Sequence, residues 1–518
     1  MLKIHLEDQI IDIPVENNTI NAALFGKLTK LRIFDKSLKN TVVAKTMISN
    51  ATSYRGIPIE SLMESSSYLE TSYLLIYGKL PSLIEHEKYK SNILKHTYVH
   101  IDLRQQLETF RYNAHPTSML IALLAATSTL HPESNPALMG ETLYKSGPHE
   151  NKLESYPIKA TSPTTEPSEA VRDFVRDKQI YRMIGKISTL TAAVYRHRLG
   201  RPYNEPKSDA RSYAENLLYM IDKLNEVDFQ PDPVLVNIVD KLFILLAEDS
   251  SVCSTAAMRH LISSGVDPYS AIAGSISTLL GENKASNVYY WLRKNLKSSM
   301  DIPSAVELVK LIYSGSTVYG FQTTVNLKVK WMKSLAQQVY KHLHDINKES
   351  LYELSEELEL KLQTENIYLS LDYWTAVLLY LMGFSTDMFP AIISIPRVSG
   401  LMAHALESID DPDYKIFRPR QIYTGYELRS YPESAKDIFD LKKRSSALEL
   451  VNAFTNSSAA RRRTAAFDND LLMEINQQIL DIKKQMEEIS FTIQQNNKTG
   501  VFSLFKKDDD AKSLSQVF

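Results

Sequence analysis

The chain has 518 residues, of which 44% are hydrophobic and 16 are glycine, so it can bury a large core and is too long for one simple domain. Its 59 Lys and Arg residues nearly balance its 61 Asp and Glu residues, and the net charge of −2 argues against a general binder of nucleic acid. The single cysteine, Cys253, excludes an internal disulfide, and we predict a small buried side chain there. No apolar run reaches the ~18 residues of a membrane span. We therefore predict a cytoplasmic protein without a membrane or nucleic-acid partner.

The predicted elements are a short N-terminal β element followed by helices. Apolar residues alternate with polar ones near the start of the chain, as they do in strands, and we assign residues 1–40 to this β element. From residue 58 the apolar residues recur at helical spacing, and Gly78 and Pro81 mark the end of the first helical stretch. Further helical patterns follow to about residue 432, so the predicted fold class is mainly α.

Two segments differ in composition from this helical body. Residues 146–170 are rich in Ser, Thr, Pro and Glu, which predicts a mobile surface loop. Within a tail at 436–518, apolar residues recur with gaps of 3 and 4 over residues 470–495, which predicts a coiled-coil helix. The seam consists of Leu472, Ile475, Ile479, Ile482, Met486, Ile489 and Ile493. It packs either on the chain's own body or, as we prefer, on a second helix in a self-association or higher assembly.

A basic run in the same tail is typical of a kinase substrate. Arg461, Arg462 and Arg463 precede Thr464 within a polar stretch. Basic residues at this position pair with the acidic substrate groove of basophilic kinases. The sequence therefore predicts phosphorylation of Thr464.

Five runs of the sequence stand out, namely residues 54–81, 131–146, 176–202, 253–274 and 408–431. They resemble the citrate synthase family, in its bacterial and plant-peroxisomal type. The resemblance covers about residues 1–432 and implies a citrate synthase fold, a helical homodimer with a smaller domain that closes over the substrates. On this resemblance, residues 41–265 and 379–435 form the large helical domain, and residues 266–378 form the small one.

The reaction that this resemblance implies is the condensation of acetyl-CoA with oxaloacetate. It needs a carboxylate base for the acetyl methyl group, donors for the developing enolate and the keto group, and arginines for the oxaloacetate carboxylates. Asp372 matches the family's base. Arg397 and Arg418 match two arginines that bind the substrate carboxylates, Arg418 across the dimer interface. The sequence indicates no metal or cofactor.

The histidines of the family's site are replaced. Asp249 stands at the substrate-binding histidine, Lys284 at the histidine that steadies the enolate, and Ser316 at the histidine that polarises the keto group. No histidine occurs between His260 and His342, so a shift of the alignment restores neither of the last two. Asp249 also places a negative charge beside a dianion. Each such loss commonly costs on the order of 100-fold in rate or more.

We therefore favour a catalytically inactive family member that is retained as a homodimeric scaffold. Two alternatives stay open. One is a divergent acyl-CoA condensing or hydrolysing enzyme that uses Asp372, with Lys284 as a cationic donor. The other is a sensor that binds a carboxylate or CoA through Arg397 and Arg418.

Overall fold

The computed structural model describes most of the chain up to residue 428 and divides it into two units, Met1–Pro419 and Arg420–Phe518. The described residues are 2–6, 9–38, 40–134, 169–207, 209–210, 212–281, 285, 288–289, 306–307, 309, 320–322, 326–343, 346–413 and 415–428. The predicted coiled coil at 470–495, Thr464 and nearly all of the loop at 146–170 lie outside them.

The described strands form two-stranded antiparallel sheets, four in this part of the chain. They are β1 (Leu2–Leu6), β2 (Gln9–Ile13), β3 (Val15–Glu16), β4 (Thr19–Ile20), β5 (Ser53–Tyr54), β6 (Ile57–Pro58), β7 (Phe321–Gln322) and β8 (Tyr368–Leu369). The predicted N-terminal β element is confirmed, with Leu2 opposite Ile13 across β1 and β2. Its assigned range also contains a helix at Ala22–Thr29, which the alternation pattern did not predict.

The remainder of the described chain is mainly helical, as predicted. The helices are α1 (Ala22–Thr29), α2 (Ile59–Ser65), α3 (Tyr68–Tyr77), α4 (Leu83–Lys95), α5 (Ile101–Glu108), α6 (Pro116–Thr127), α7 (Glu169–Arg198), α8 (Tyr213–Asp222), α9 (Pro233–Leu246), α10 (Cys253–Ser263), α11 (Pro268–Ser277), α12 (Leu327–Leu343), α13 (Ile346–Gln363), α14 (Leu371–Leu381) and α15 (Phe389–Ile409). The domain boundaries at 265/266 and 378/379 stay a prediction.

Local sequence explains the ends of α3. The Ser67 side chain accepts from the Glu70 backbone N–H while the Glu70 side chain accepts from the Ser67 N–H, so two otherwise free donors are satisfied. Gly78 ends the helix in the left-handed region at φ 77°, where a residue without Cβ is favoured. The predicted stop at Gly78 is confirmed.

The helix α15 runs through the centre of the core. It packs against α3, α7, α9 and α10, and its side chains from Phe389 to Ala405 are buried. By length and composition the segment Thr386–Ile409 is apolar enough to cross a membrane, but 94% of its most apolar window is buried inside the protein. It is therefore explained as the core helix of a folded body, and it carries Arg397 into the interior.

The apolar character of the stretch from residue 246 predicts one long buried helix. The structure differs from this prediction. The helix α9 ends at Leu246, a turn follows, and α10 starts only at Cys253. Cys253 is exposed, so the prediction of a buried thiol is wrong. It occupies the first position of α10, where the chain has just left the turn, and the buried face of that helix begins with Ser254 and Thr255.

The half-buried Asp240 on α9 predicts a pH-dependent stability. Burial raises its pKa to about 6 from the ordinary 3.8, although its carboxylate accepts from the Tyr68 backbone N–H at 3.2 Å. A raised carboxyl pKa means that the folded chain holds the proton more tightly, so stability falls as pH rises from about 4 to about 6. Asp240→Asn should abolish this fall, which amounts to roughly 2–3 kcal/mol. Urea unfolding of both proteins at pH 4, 5, 6 and 7 measures it; parallel pH curves would contradict the assignment.

Candidate functional site

A cavity of ≈ 170 Å³ lies where the end of α9, the start of α14 and the N-terminal half of α15 meet. Polar and ionisable side chains share its wall with apolar ones. The described residues that line it are Leu246, Asp249, Val252, Leu279, Ala285, Gln322, Asn326, Ser370, Leu371, Asp372, Thr375, Pro390, Ile393 and Arg397. Three of the residues singled out in the sequence, namely Asp249, Asp372 and Arg397, are therefore brought together.

Arg397 is the buried cation of the cavity wall. Its side chain is only 7% exposed because α15 is packed on several sides. Its Nε and Nη1 atoms are buried and have no hydrogen-bond partner within the protein. Buried polar groups are nearly always paired, and a guanidinium fork matches the two oxygens of a carboxylate. The free donors of Arg397 therefore indicate a place for an anionic group.

Asp249 supplies one carboxylate to the same cavity. Its Oδ1 accepts from the Ser251 backbone N–H at 3.0 Å and from the Ser251 hydroxyl at 2.6 Å, which fixes the turn after α9. Burial acts to raise the pKa of Asp249, but the Ser251 hydrogen bond and the charges of Arg397 and Lys328 outweigh it and hold that pKa below its ordinary value. Asp249 is thus an anion near neutral pH.

Asp372 supplies the second carboxylate, from the first turn of α14. The side chain of Ser370 caps this helix by accepting from the Tyr373 N–H at 3.2 Å. The strand β8 directly before it pairs with β7, and the Ser370 N–H donates to the Gly320 carbonyl at 2.8 Å. These contacts bring Asp372 to the same cavity as Gln322, whose buried Nε2 has no hydrogen-bond partner. A negative side chain also suits the positive end of a helix.

A buried lysine that the sequence did not single out stabilises the turn. Lys328 is 7% exposed and donates from Nζ to the Glu248 carbonyl at 2.8 Å and to the Tyr54 hydroxyl at 3.2 Å. Tyr54, itself fully buried, donates towards the Ile244 carbonyl at 3.1 Å. The Glu248 carbonyl in the turn after α9 thereby has a buried donor.

A buried polar network lies behind the cavity and was also missed by sequence reasoning. Glu248, at 0% exposure, accepts through Oε1 from His404 Nε2 at 2.7 Å and from the Ser49 hydroxyl at 3.1 Å. His404 Nδ1 accepts from Arg259 Nη2 at 2.8 Å, and Arg259 pairs with Glu407. Because Glu248 directly precedes Asp249, this network fixes the backbone that presents Asp249 to the cavity.

The remaining candidate residues are not part of this cavity. Arg418 is exposed and lies outside the lining of its own chain's cavity. The Phe417 N–H next to it donates to the Ser263 hydroxyl at 3.1 Å, which holds the segment near the end of α10. Lys284, Ser316 and Thr464 lie outside the described residues.

The chemistry available to the described lining is limited. Its ionisable side chains are Asp249, Asp372 and Arg397, and no histidine is found among the lining residues that the structure describes. Two carboxylates can accept protons or bind a cation, and one guanidinium can bind an anion. Among the described residues, no three His, Cys, Asp or Glu side chains gather as metal ligands would.

The fold agrees with comparisons to known proteins. Residues 37–420 match the family model described as "Citrate synthase, C-terminal domain". A "Citrate synthase, peroxisomal" of Dictyostelium discoideum is 38% identical over 442 residues, 81% of this chain and 84% of that protein. A "Citrate synthase, glyoxysomal" of Cucurbita maxima is 35% identical over 80% of this chain and 79% of that protein. The crystal structure of citrate synthase from Pyrobaculum aerophilum matches with a TM-score of 0.62 at 25% identity, covering 77% of this chain and 94% of that one.

The chain therefore belongs to the citrate synthase family, and its fold is the fold of that family. The comparisons overturn one prediction. A cytoplasmic location was expected because no apolar run of the sequence suggested a membrane span, whereas these relatives are named as peroxisomal and glyoxysomal proteins. The cytoplasmic prediction is corrected accordingly.

Proposed function

We propose that this chain is a citrate synthase family member that does not form citrate and that serves as a homodimeric scaffold. The observation that supports this most is the replacement at Asp249. The family's chemistry needs a donor to the substrate at this position, and the chain supplies an ionised acceptor. A fixed negative charge in a poorly hydrated cavity repels a dianionic substrate.

The retained residues do not restore the reaction. Asp372 lies in the cavity wall, and the family resemblance assigns it the role of the base, but a base acts on acetyl-CoA only when donors stabilise the enolate as charge develops. The sequence has no histidine between His260 and His342 to supply such donors. Loss of several members of one catalytic unit leaves little activity, since such groups act together.

Thiol release from acetyl-CoA in the presence of oxaloacetate tests the proposal. We expect no release above the rate without protein, in the full chain and in Asp372→Asn alike. Turnover in the full chain that Asp372→Asn abolishes would refute the proposal and favour the divergent acyl-CoA enzyme. A citrate synthase from a relative, assayed in parallel, establishes that the substrates and detection work.

Binding of a carboxylate is a second candidate function, and the unpartnered donors of Arg397 favour it. The Nε and Nη1 atoms are buried, so the protein gains from a ligand that accepts from them. A cavity of this kind could serve a sensor without any catalysis. Calorimetric titration with succinate and with CoA separates a sensor from a scaffold without ligands.

The exposed position of Arg418 supports the proposed homodimer. The family resemblance assigns this residue to the partner's site, and within its own chain it is outside the cavity. Large apolar side chains are also exposed near the N-terminus, as expected of a surface that a second copy covers. They are Leu31, Ile33, Phe34, Leu38, Val42, Val43 and Met47.

Light scattering of the 518-residue chain tests both the proposed homodimer and the predicted coiled coil. The chain mass is 58.9 kDa, and we expect at least a dimer. Deletion of residues 468–518 should lower the mass if the predicted coiled coil joins dimers into a larger assembly. An unchanged mass would remove the coiled-coil proposal and leave the dimer, whereas a monomeric full-length chain would refute the dimer itself.

A further inference from the structure

The described ionisable groups of the cavity do not suit a dianion. Asp249 and Asp372 bring two negative charges to the lining, and Arg397 brings one positive charge. A dicarboxylate would pair with Arg397 but would also face the carboxylates. The ligand that fits this wall carries both signs of charge.

Hydrogen-bond donors on one side of the cavity have no acceptor within the protein. Arg397 is more than nine-tenths buried, and its Nε and Nη1 have no partner within the protein. The Nε2 of Gln322, another lining residue, is also buried without a partner. Three donor nitrogens without an acceptor therefore belong to the lining of one cavity, and a carboxylate supplies oxygens that accept from such donors.

Asp249 forms the acceptor side of the cavity. Its Oδ1 is occupied by the backbone N–H and hydroxyl of Ser251. Its Oδ2 takes no part in that turn, and Asp249 lines the cavity. The charges of Arg397 and Lys328 help to lower the pKa of Asp249, so the carboxylate stays ionised near neutral pH. An ammonium group offers three donors to such an oxygen.

We propose that this cavity binds a small α-amino acid, with the ligand's carboxylate on Arg397 and its ammonium group on Asp249. The inference rests on the proposed function, because it requires a cavity that no longer serves citrate formation. The volume of ≈ 170 Å³ lies below the about 300–1,000 Å³ of drug-sized pockets, so the ligand is a small one.

The test is a binding comparison on the full chain. The twenty protein amino acids are screened by thermal shift, and the best binder is titrated by calorimetry against its two halves. For L-alanine these are propionate, which lacks the ammonium group, and ethylamine, which lacks the carboxylate. We expect the amino acid to bind at least 10-fold more tightly than either half.

The variant Asp249→Asn sharpens the comparison, because the asparagine oxygen still accepts from Ser251 and the turn is kept. It should weaken the binding of the amino acid at least 10-fold. The binding of the carboxylate compound, such as propionate, should stay unchanged or become stronger. Asp411→Asn is the matched control, since Asp411 makes the same kind of turn by accepting from the Asp413 N–H at 2.9 Å and does not line the cavity. It should change neither affinity.

Three results would overturn the inference. They are no binding by any of the twenty amino acids, an unchanged preference for the amino acid in Asp249→Asn, or tighter binding of succinate than of any amino acid. The thiol-release assay is independent of all three. Citrate formation would refute the proposed function, whereas absent amino-acid binding without citrate formation would refute only this inference.

Discussion

Gly400→Ala is expected to destabilise the folded chain by about 3 kcal/mol, at the upper end of what overpacking costs. A Cβ at this position of α15 would lie 2.2 Å from Glu248 Oε2 and 2.5 Å from the Ala247 carbonyl oxygen. The carbonyl belongs to the backbone of the turn after α9 and cannot rotate away. The free energy cost of the clash must exceed the ~1 kcal/mol by which alanine normally stabilises a helix relative to glycine. Urea unfolding should show the loss as a lowered midpoint.

Gly274→Ala is the matched control for this substitution. Gly274 also lies inside a helix, α11, and a Cβ there would come 2.7 Å from Leu261 Cδ1. That atom is the end of a flexible side chain, and the next nearest atom of the residue is 3.9 Å away, so a rotation relieves the contact. We expect stability within about 1 kcal/mol of the wild type. Equal midpoints for the two variants would contradict the close approach of α15 to the turn.

Local sequence predicts the parts of this fold that depend on local chemistry. The stop of α3 at Gly78 follows from the freedom of glycine at positive φ, and the N-terminal strands follow from their alternation. The site depends instead on residues that are distant in the chain. Glu248 and His404 are 156 residues apart, and no spacing rule connects them.

Two residues, one missed and one misread, show why burial is hard to infer from composition. A lysine such as Lys328 near the start of a helix is ordinarily exposed, yet Lys328 is buried because the Glu248 carbonyl and the Tyr54 hydroxyl accept hydrogen bonds from it. Cys253 lies in an apolar stretch and is exposed because the chain breaks at Leu246 and restarts at Cys253. In both cases the tertiary arrangement of the helices determines whether the side chain is buried.

The family resemblance supplied what local patterns could not. It named Asp249, Asp372 and Arg397, and the structure places all three in one cavity although they are spread over nearly 150 positions of the chain. It could not show which hydrogen bonds these side chains make. The packing of α9 against α15 determines that Asp249 accepts from Ser251 in a turn and that Nε and Nη1 of Arg397 have no partner within the protein.

His404→Leu is expected to cost about 3–5 kcal/mol, the usual effect of removing one member of a buried charged network. The leucine fills a similar volume but removes the N–H that Glu248 Oε1 accepts at 2.7 Å and the acceptor of Arg259. Glu248, at 0% exposure, would keep only the Ser49 hydroxyl on that oxygen. Urea unfolding measures the loss, and a second change, Glu248→Gln, should recover part of it by removing the buried charge.

The same pair of variants separates a packing effect from an electrostatic one. If His404 served only to fill space, His404→Leu would be nearly neutral and Glu248→Gln would act independently of it. An interaction free energy above about 1 kcal/mol in the double-mutant cycle instead requires that the imidazole and the carboxylate stabilise each other. The exposed pair of Lys79 and Glu85, 2.8 Å apart, is the reference, because Lys79→Met there should leave the unfolding midpoint unchanged. Independent effects at His404 and Glu248 would show that the turn carrying Asp249 is fixed by packing alone.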